Sequence, residues 1–171
     1  MTSNVEAELT LPFPRPKAES WRSRLWRWGF NLFPAYRGTG GRVVYIAPDW
    51  REVHVALPLS WRTRNYVGTL FGGSMYGAID PIYMLMLIHN LGPGYVVWDK
   101  AATIRFRKPG KTTLYARFVL TEEELQTIRR LALERPSLER VYPVELLDSS
   151  GVVHASFEKT LYIRKNKKEL Q

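Results

Sequence analysis

Apolar residues along this chain fall into three kinds of pattern, and each predicts a different element. Between Ser20 and Phe33, Trp21, Leu25, Trp28 and Leu32 recur at i, i+4, i+7 and i+11, with Arg24, Arg27 and Asn31 opposite. That spacing predicts an amphipathic helix over 20–33. Pro34 is expected to end it, and Gly38-Thr39-Gly40-Gly41 to form a loop. Arg42 to Ala47 is a short apolar run, and Glu52 to Leu57 alternates around Val53, Val55 and Leu57, so the two predict a hairpin turning at Asp49-Trp50. From Gly73 to Asn90 the chain is apolar on nearly every face, the pattern of a helix buried all round.

Strand-like runs follow at Tyr95 to Phe106 and Thr113 to Leu120, joined by Lys108-Pro109-Gly110-Lys111. Thr121 and Glu124 have the spacing of a capping box for a helix presenting Leu125, Ile128 and Ala132 on one face, and Pro136 closes it. Tyr142 to Leu147 and Val152 to Ile163 read as a last hairpin through Asp148-Ser149-Ser150-Gly151. Six strands and one long apolar helix imply an α+β fold, a curved antiparallel sheet wrapped around that helix, with an extra N-terminal helix. The segment 1–19, with Pro12, Pro14 and Pro16, is expected to be flexible, 20–164 to be a single domain, and 165–171 to be a basic tail.

Composition narrows the function classes. The 171 residues include no cysteine, which excludes disulfides, thiolate metal sites and a cysteine nucleophile. His54, His89 and His154 are scattered with no i, i+4 pair, so neither a metal nor another cofactor is expected. The start MTSNVEAELT lacks the basic and apolar regions of a signal peptide, and the apolar run from Pro81 to Ile88 is far shorter than the roughly 20 residues a spanning helix needs. The expected location is therefore cytoplasmic, with no transmembrane segment. A net charge of +9 favours an anionic partner, but no nucleic-acid motif accompanies it and nucleic acid is not the expected one. The stripe on the 20–33 helix is expected to dock on the sheet; a helix lying on a membrane surface presents the same stripe.

The chemistry concentrates near Asp80. It is the only charged side chain between Asn65 and Ile88, and burying an ionised carboxylate is costly unless it is paired or used. Gly72-Gly73 lies upstream, where backbone amides can approach a ligand closely. Two readings of Asp80 stand side by side. It acts as a base near a glycine-lined carbonyl site, or it is the N-cap of a helix starting at Asp80-Pro81, with 68–77 as a loop. If the helix runs through, Pro81 should kink it by removing a bond to the Gly77 carbonyl.

The run Asn65-x-x-Gly68-Thr69-x-Phe71-Gly72-Gly73, with Asp80 nine positions after Phe71, resembles the signature of hotdog-fold acyl-CoA thioesterases of the phenylacetate-pathway type. That signature reads N-x-x-G-x-x-H-G-G with an acid nine positions after the histidine. Phe71 stands here at the histidine position, as in a hotdog branch whose members read "FGGS…DP" and "VWDKAA". Trp98-Asp99-Lys100 and the turn Lys108-Pro109-Gly110 extend the resemblance, which covers roughly Leu32 to Arg164. It implies a homo-oligomer, a dimer or dimer of dimers, with active sites between subunits and an acyl-CoA substrate. The amides of Gly72 and Gly73 would form the oxyanion hole and Asp80 would act as base or nucleophile. Asn65, Gly68, Thr69, Phe71 and Ser74 would line the substrate pocket, with capping of the helix as the other role for Ser74. Arg105, Arg107 and Lys108 would meet the coenzyme A phosphates. The alternative function is a hotdog protein that binds acyl-CoA or another acyl ligand without hydrolysing it.

Overall fold

The computed structural model describes residues 12–14 and 18–166. The expectations for most of the segment 1–19 and for residues 167–171 fall outside that range. The elements are α1 (Trp21–Leu32), α2 (Pro34–Thr39), β1 (Arg42–Ile46), β2 (Glu52–Leu57), α3 (Gly72–Ile79), α4 (Ile82–Leu91), β3 (Tyr95–Phe106), β4 (Leu114–Val119), α5 (Glu122–Glu134), β5 (Leu138–Leu147) and β6 (Val153–Lys165). The six strands form one antiparallel sheet in the order β1-β2-β4-β5-β6-β3. The sheet curves around α3 and α4, whose Ala78, Ile79, Met86 and Leu87 are fully buried against Val55, Leu57, Phe118, Phe157 and Leu161. This is the hotdog arrangement.

The central helix runs through Asp80-Pro81 but breaks there. Asp80 is still helical (φ −51°, ψ −53°) and donates its N–H to the Tyr76 carbonyl at 2.9 Å. Pro81 has no N–H to return to Gly77, so a new helical segment starts behind it, with Leu85 N–H donating to the Pro81 carbonyl at 3.0 Å. Asp80 makes no cap bond to α4. The segment from Gly72 onward is helix rather than loop.

The N-terminal region departs from expectation in two ways. Pro34 does end α1, but it also occupies the first helical position of α2, with extended Phe33 before it (ψ 122°). The stretch 34–39 is therefore helical where part of it was expected as loop. More consequentially, the Trp21/Leu25/Trp28/Leu32 stripe of α1 does not dock on the sheet; it faces outward.

The reason lies at the sheet edge. β1 is an edge strand and leaves backbone groups unpaired on its outer side. The polar face of α1 satisfies them: Asn31 Nδ2 donates to the Val43 carbonyl and Asn31 Oδ1 accepts from Val43 N–H, both at 2.8 Å. Glu19 Oε1 accepts from Ile46 N–H at 2.9 Å while also pairing with Arg27 at 3.0 Å. Residue 19 is thus anchored. Hydrogen bonding to the edge, together with Phe30 packed on Tyr36 and the core, selects which face of α1 turns inward.

The cap of α5 is half the expected one. Thr121 Oγ1 accepts from Glu124 N–H at 3.1 Å, but the Glu124 carboxylate turns away to Arg140 Nε and the Tyr142 hydroxyl, each at 2.8 Å.

Candidate active site

The loop before α3 is built around Asn65. Its N–H donates to the Thr69 carbonyl at 2.7 Å, its Oδ1 accepts from Thr69 N–H and its Nδ2 donates to Thr69 Oγ1, both at 2.9 Å. Gly68, at φ +83°, makes the turn between them. The side chains of Asn65 and Thr69 are thus largely spent on each other. Leu70 N–H donates to the Gly110 carbonyl and Phe71 N–H to the Thr63 carbonyl, both at 2.8 Å, and these bonds fix where α3 begins.

At that start, Met75 N–H is the first amide to reach back into the helix, to the Phe71 carbonyl at 3.0 Å. The amides of Gly72, Gly73 and Ser74 precede it and have no intrahelical acceptor. They are donors at the positive end of a helix dipole. Asn65, Thr69, Gly72, Arg107 and Lys108 come together around a cleft of about 410 Å³ that the Phe106 ring also lines. A Cβ on Gly72 would lie 2.9 Å from Phe106 Cζ, so glycine lets that ring sit against the helix start.

The other expected site residues are placed differently. Phe71 is half exposed, and its ring lies over Gly73, where an added Cβ would meet Phe71 Cε1 at 2.3 Å. Ser74 is buried at the third helical position and makes no cap bond. Arg105 lines a separate cleft of about 510 Å³ on the sheet face turned away from α3, together with Arg107, Arg117 and Glu158. Arg107 borders both clefts and donates to Ser156 Oγ at 3.2 Å.

Asp80 is not among the residues lining the cleft at Gly72. It lies eight residues along from Gly72, about 12 Å at 1.5 Å per residue. There its Oδ1 accepts from the Lys159 ammonium, which also lies 2.9 Å from Asp99 Oδ1 and donates to the Tyr76 hydroxyl at 3.2 Å. Lys159 is 1% exposed, while the Asp80 carboxylate keeps 35% of its surface open. Burial alone would pull the ammonium down, but the bonds to Asp80 and Asp99 outweigh it and hold Lys159 above the ordinary lysine range. Burial pushes the Asp99 carboxyl up, with Lys159 opposing and Asp80 adding to the rise. Burial and the Asp80 carboxylate likewise raise the Tyr76 hydroxyl.

Sequence reasoning missed Lys159 and Asp99. The signal was present: Ala155, Phe157, Leu161 and Ile163 alternate inward along β6, and Lys159 is the charged residue set among them.

Comparison with solved structures bears on the fold. The chain is similar to a protein of unknown function from Pseudomonas aeruginosa described as a probable thioesterase, at 21% identity over 92% of this chain and 99% of that one, with a TM-score of 0.73. A protein of unknown function from Chlorobaculum tepidum matches at 16% identity over 85% and 95% of the two chains, TM-score 0.69. A thioesterase from Haemophilus influenzae matches at 14% over 88% and 93%, TM-score 0.61. Among curated proteins none matches. A family model described as a domain of unknown function, DUF4442, matches residues 22–163, most of the chain, which therefore belongs to that family.

Proposed function

We propose that this DUF4442 chain is an acyl-CoA thioesterase that works as a homodimer, or a dimer of dimers, with its sites between subunits. The observation that carries the reading is the start of α3, whose unsatisfied amides open on a cleft bordered by Asn65, Thr69 and Lys108. The thioester carbonyl oxygen accepts from the Gly72 and Gly73 amides, which stabilise the oxyanion as water adds to the carbonyl carbon. Asp80, supplied by the other protomer, takes a proton from that water. The C–S bond then breaks, the thiolate of coenzyme A takes the proton, and the acid leaves. Lys159 holds Asp80 Oδ1 and leaves Oδ2 for water. Lys108 and Arg107 at the cleft rim, and Arg105 beyond it, supply positive charge for the coenzyme A phosphates. The long edge strand β3, with no partner on its outer side among the described residues, supports pairing with a second copy.

The solved thioesterases on the same fold support this reading. A second reading has its own observation: Phe71 stands where the signature has histidine, and Asp80 is already engaged by Lys159. On that reading the chain binds acyl-CoA without turning it over. Thiol release from short, medium, long and aromatic acyl-CoAs, compared between wild type and Asp80→Asn, separates the two. Hydrolysis that drops by about 10²–10⁴-fold on substitution, with binding retained, is the thioesterase result. Calorimetric binding with no hydrolysis by either protein is the result for the binding reading.

A further inference from the structure

We propose that the outer face of α1 docks on the surface of a bilayer containing anionic lipid. Trp21, Leu25, Trp28 and Leu32 share one face of the helix and are 74%, 66%, 65% and 58% exposed. The opposite face is fully engaged through Asn31, Ser23 and Arg27. α1 is therefore fixed to the body with its apolar stripe pointing away from it. An amphipathic helix normally buries that stripe; leaving it out has a cost unless something apolar covers it.

Charge and residue type identify the occupant. Arg22 and Arg24 lie on either side of the stripe and are both exposed. From Ser20 to Pro48 there are five arginines and no acid. At the end of α1, Asn31 shares a groove with Arg37, Arg42 and Arg62, so the basic surface continues past the helix. Trp61, 83% exposed, neighbours Arg62 and adds a second aromatic anchor at the same edge. Tryptophan and leucine flanked by arginine suit the bilayer interface: the rings sit at headgroup depth and the guanidinium groups meet lipid phosphate. A helix held flat on the protein body presents its stripe parallel to a surface, as an interfacial helix lies. Among the described residues no helix is long and apolar enough to cross a membrane, so the association is peripheral.

The proposal is independent of catalysis, and its test needs no acyl thioester. The full chain is floated with vesicles of phosphatidylcholine alone and of phosphatidylcholine mixed with phosphatidylglycerol, and its oligomeric state is followed by sedimentation. Wild type should float with the mixed vesicles, and raising salt should weaken that binding. Trp28→Glu and, separately, Leu25→Glu should stay unbound while keeping the wild-type melting curve, since both side chains are exposed. Arg22→Ala and Arg24→Ala should each weaken binding about fivefold. The proposal is overturned if wild type does not float, or if the glutamate variants bind as well as wild type. It is equally overturned if those variants change the oligomeric state and leave lipid binding unaltered, because the stripe is then a contact between copies.

Discussion

The ammonium of Lys159, on an inward position of β6, holds the carboxylate of Asp80 at the point where Pro81 breaks the central helix. The break and the ion pair are coupled by geometry. Asp80 ends one helical segment and its side chain makes no cap bond to the next, so it is available to the strand beneath. Asp99 closes the cluster from β3, giving two carboxylates around one ammonium. A lone acid in apolar surroundings would be costly; this one is paired by a lysine that is itself almost wholly out of solvent.

Replacing that lysine should expose the cost. Lys159→Met leaves Asp80 and Asp99 facing each other without the intervening charge. We expect a loss of about 3 kcal/mol in urea unfolding, the lower end of the range for breaking a buried pair, because Asp80 is partly open to water. Lys159→Met combined with Asp99→Asn should recover part of the loss, since one of the stranded charges is gone. A single variant as stable as wild type would show that water at Asp80 already compensates the pair.

The extent of the fold was largely legible, and the residues that were not legible share a cause. Glu52–Leu57, read from its alternation, and Tyr95–Phe106, read as a strand-like run, occur with the expected ends, because strand pattern and turn residues are local signals. The break at Pro81 was equally local, since a missing N–H needs no tertiary context. The facing of α1 was not legible. Its stripe says only that one face is apolar, whereas the inward face was chosen by the open edge of β1 and its need for Asn31 and Glu19. Lys159 could have been found by register alone, but its partners come from α3 and β3, far away in the chain. Asn65 and Thr69 line one cleft with Gly72 and Lys108, yet their side chains build the loop they sit on.

The oxyanion role of the helix start can be tested by deleting one amide. Gly72 is the first helical residue and Phe71 before it is extended (ψ 131°), so Gly72→Pro suits both backbone positions. The ring would press on the exposed end of Phe106, which has room to swing outward. Turnover should fall about 10²–10³-fold while the circular dichroism spectrum stays that of wild type. If the proline variant turns over at the wild-type rate, the Gly72 amide does not meet the carbonyl.

Glu124 should matter more to stability than the cap it was expected to complete. Thr121→Ala removes the bond to Glu124 N–H and should cost about 1 kcal/mol. Glu124→Ala strands both Arg140 and the buried Tyr142 hydroxyl, and should cost about 2–3 kcal/mol. Denaturant midpoints of the two variants give the order directly. Equal losses would mean that Tyr142 and Arg140 find water when the carboxylate is removed.

His54 makes the fold sensitive to mild acid. It is wholly buried on β2, with Nε2 at 2.8 Å from Glu52 Oε1 and Nδ1 without a partner among the described residues. Burial pushes the imidazolium below its ordinary range; Glu52 opposes that push and Arg117 adds to it. The ring is therefore neutral at pH 7, donating from Nε2 to Glu52. A histidine whose folded pKa lies below its unfolded value of about 6.5 contributes stability that is complete above that value. The contribution is lost as the pH falls through the folded pKa. Urea midpoints measured from pH 7.5 down to about pH 5 should fall in wild type and fall less in His54→Phe, where no proton is taken up at this site on unfolding. Glu52 is also paired with Arg117 at 2.6 Å, a contact the substitution does not remove, and its carboxyl is held below the ordinary range, so its loss belongs to lower pH. His89, stacked on Trp50 at 4.6 Å and also pushed down by burial, adds to the slope that remains, and Asp99, pushed up by burial, opposes it. A variant with the full wild-type slope would show that His54 does not set the acid sensitivity.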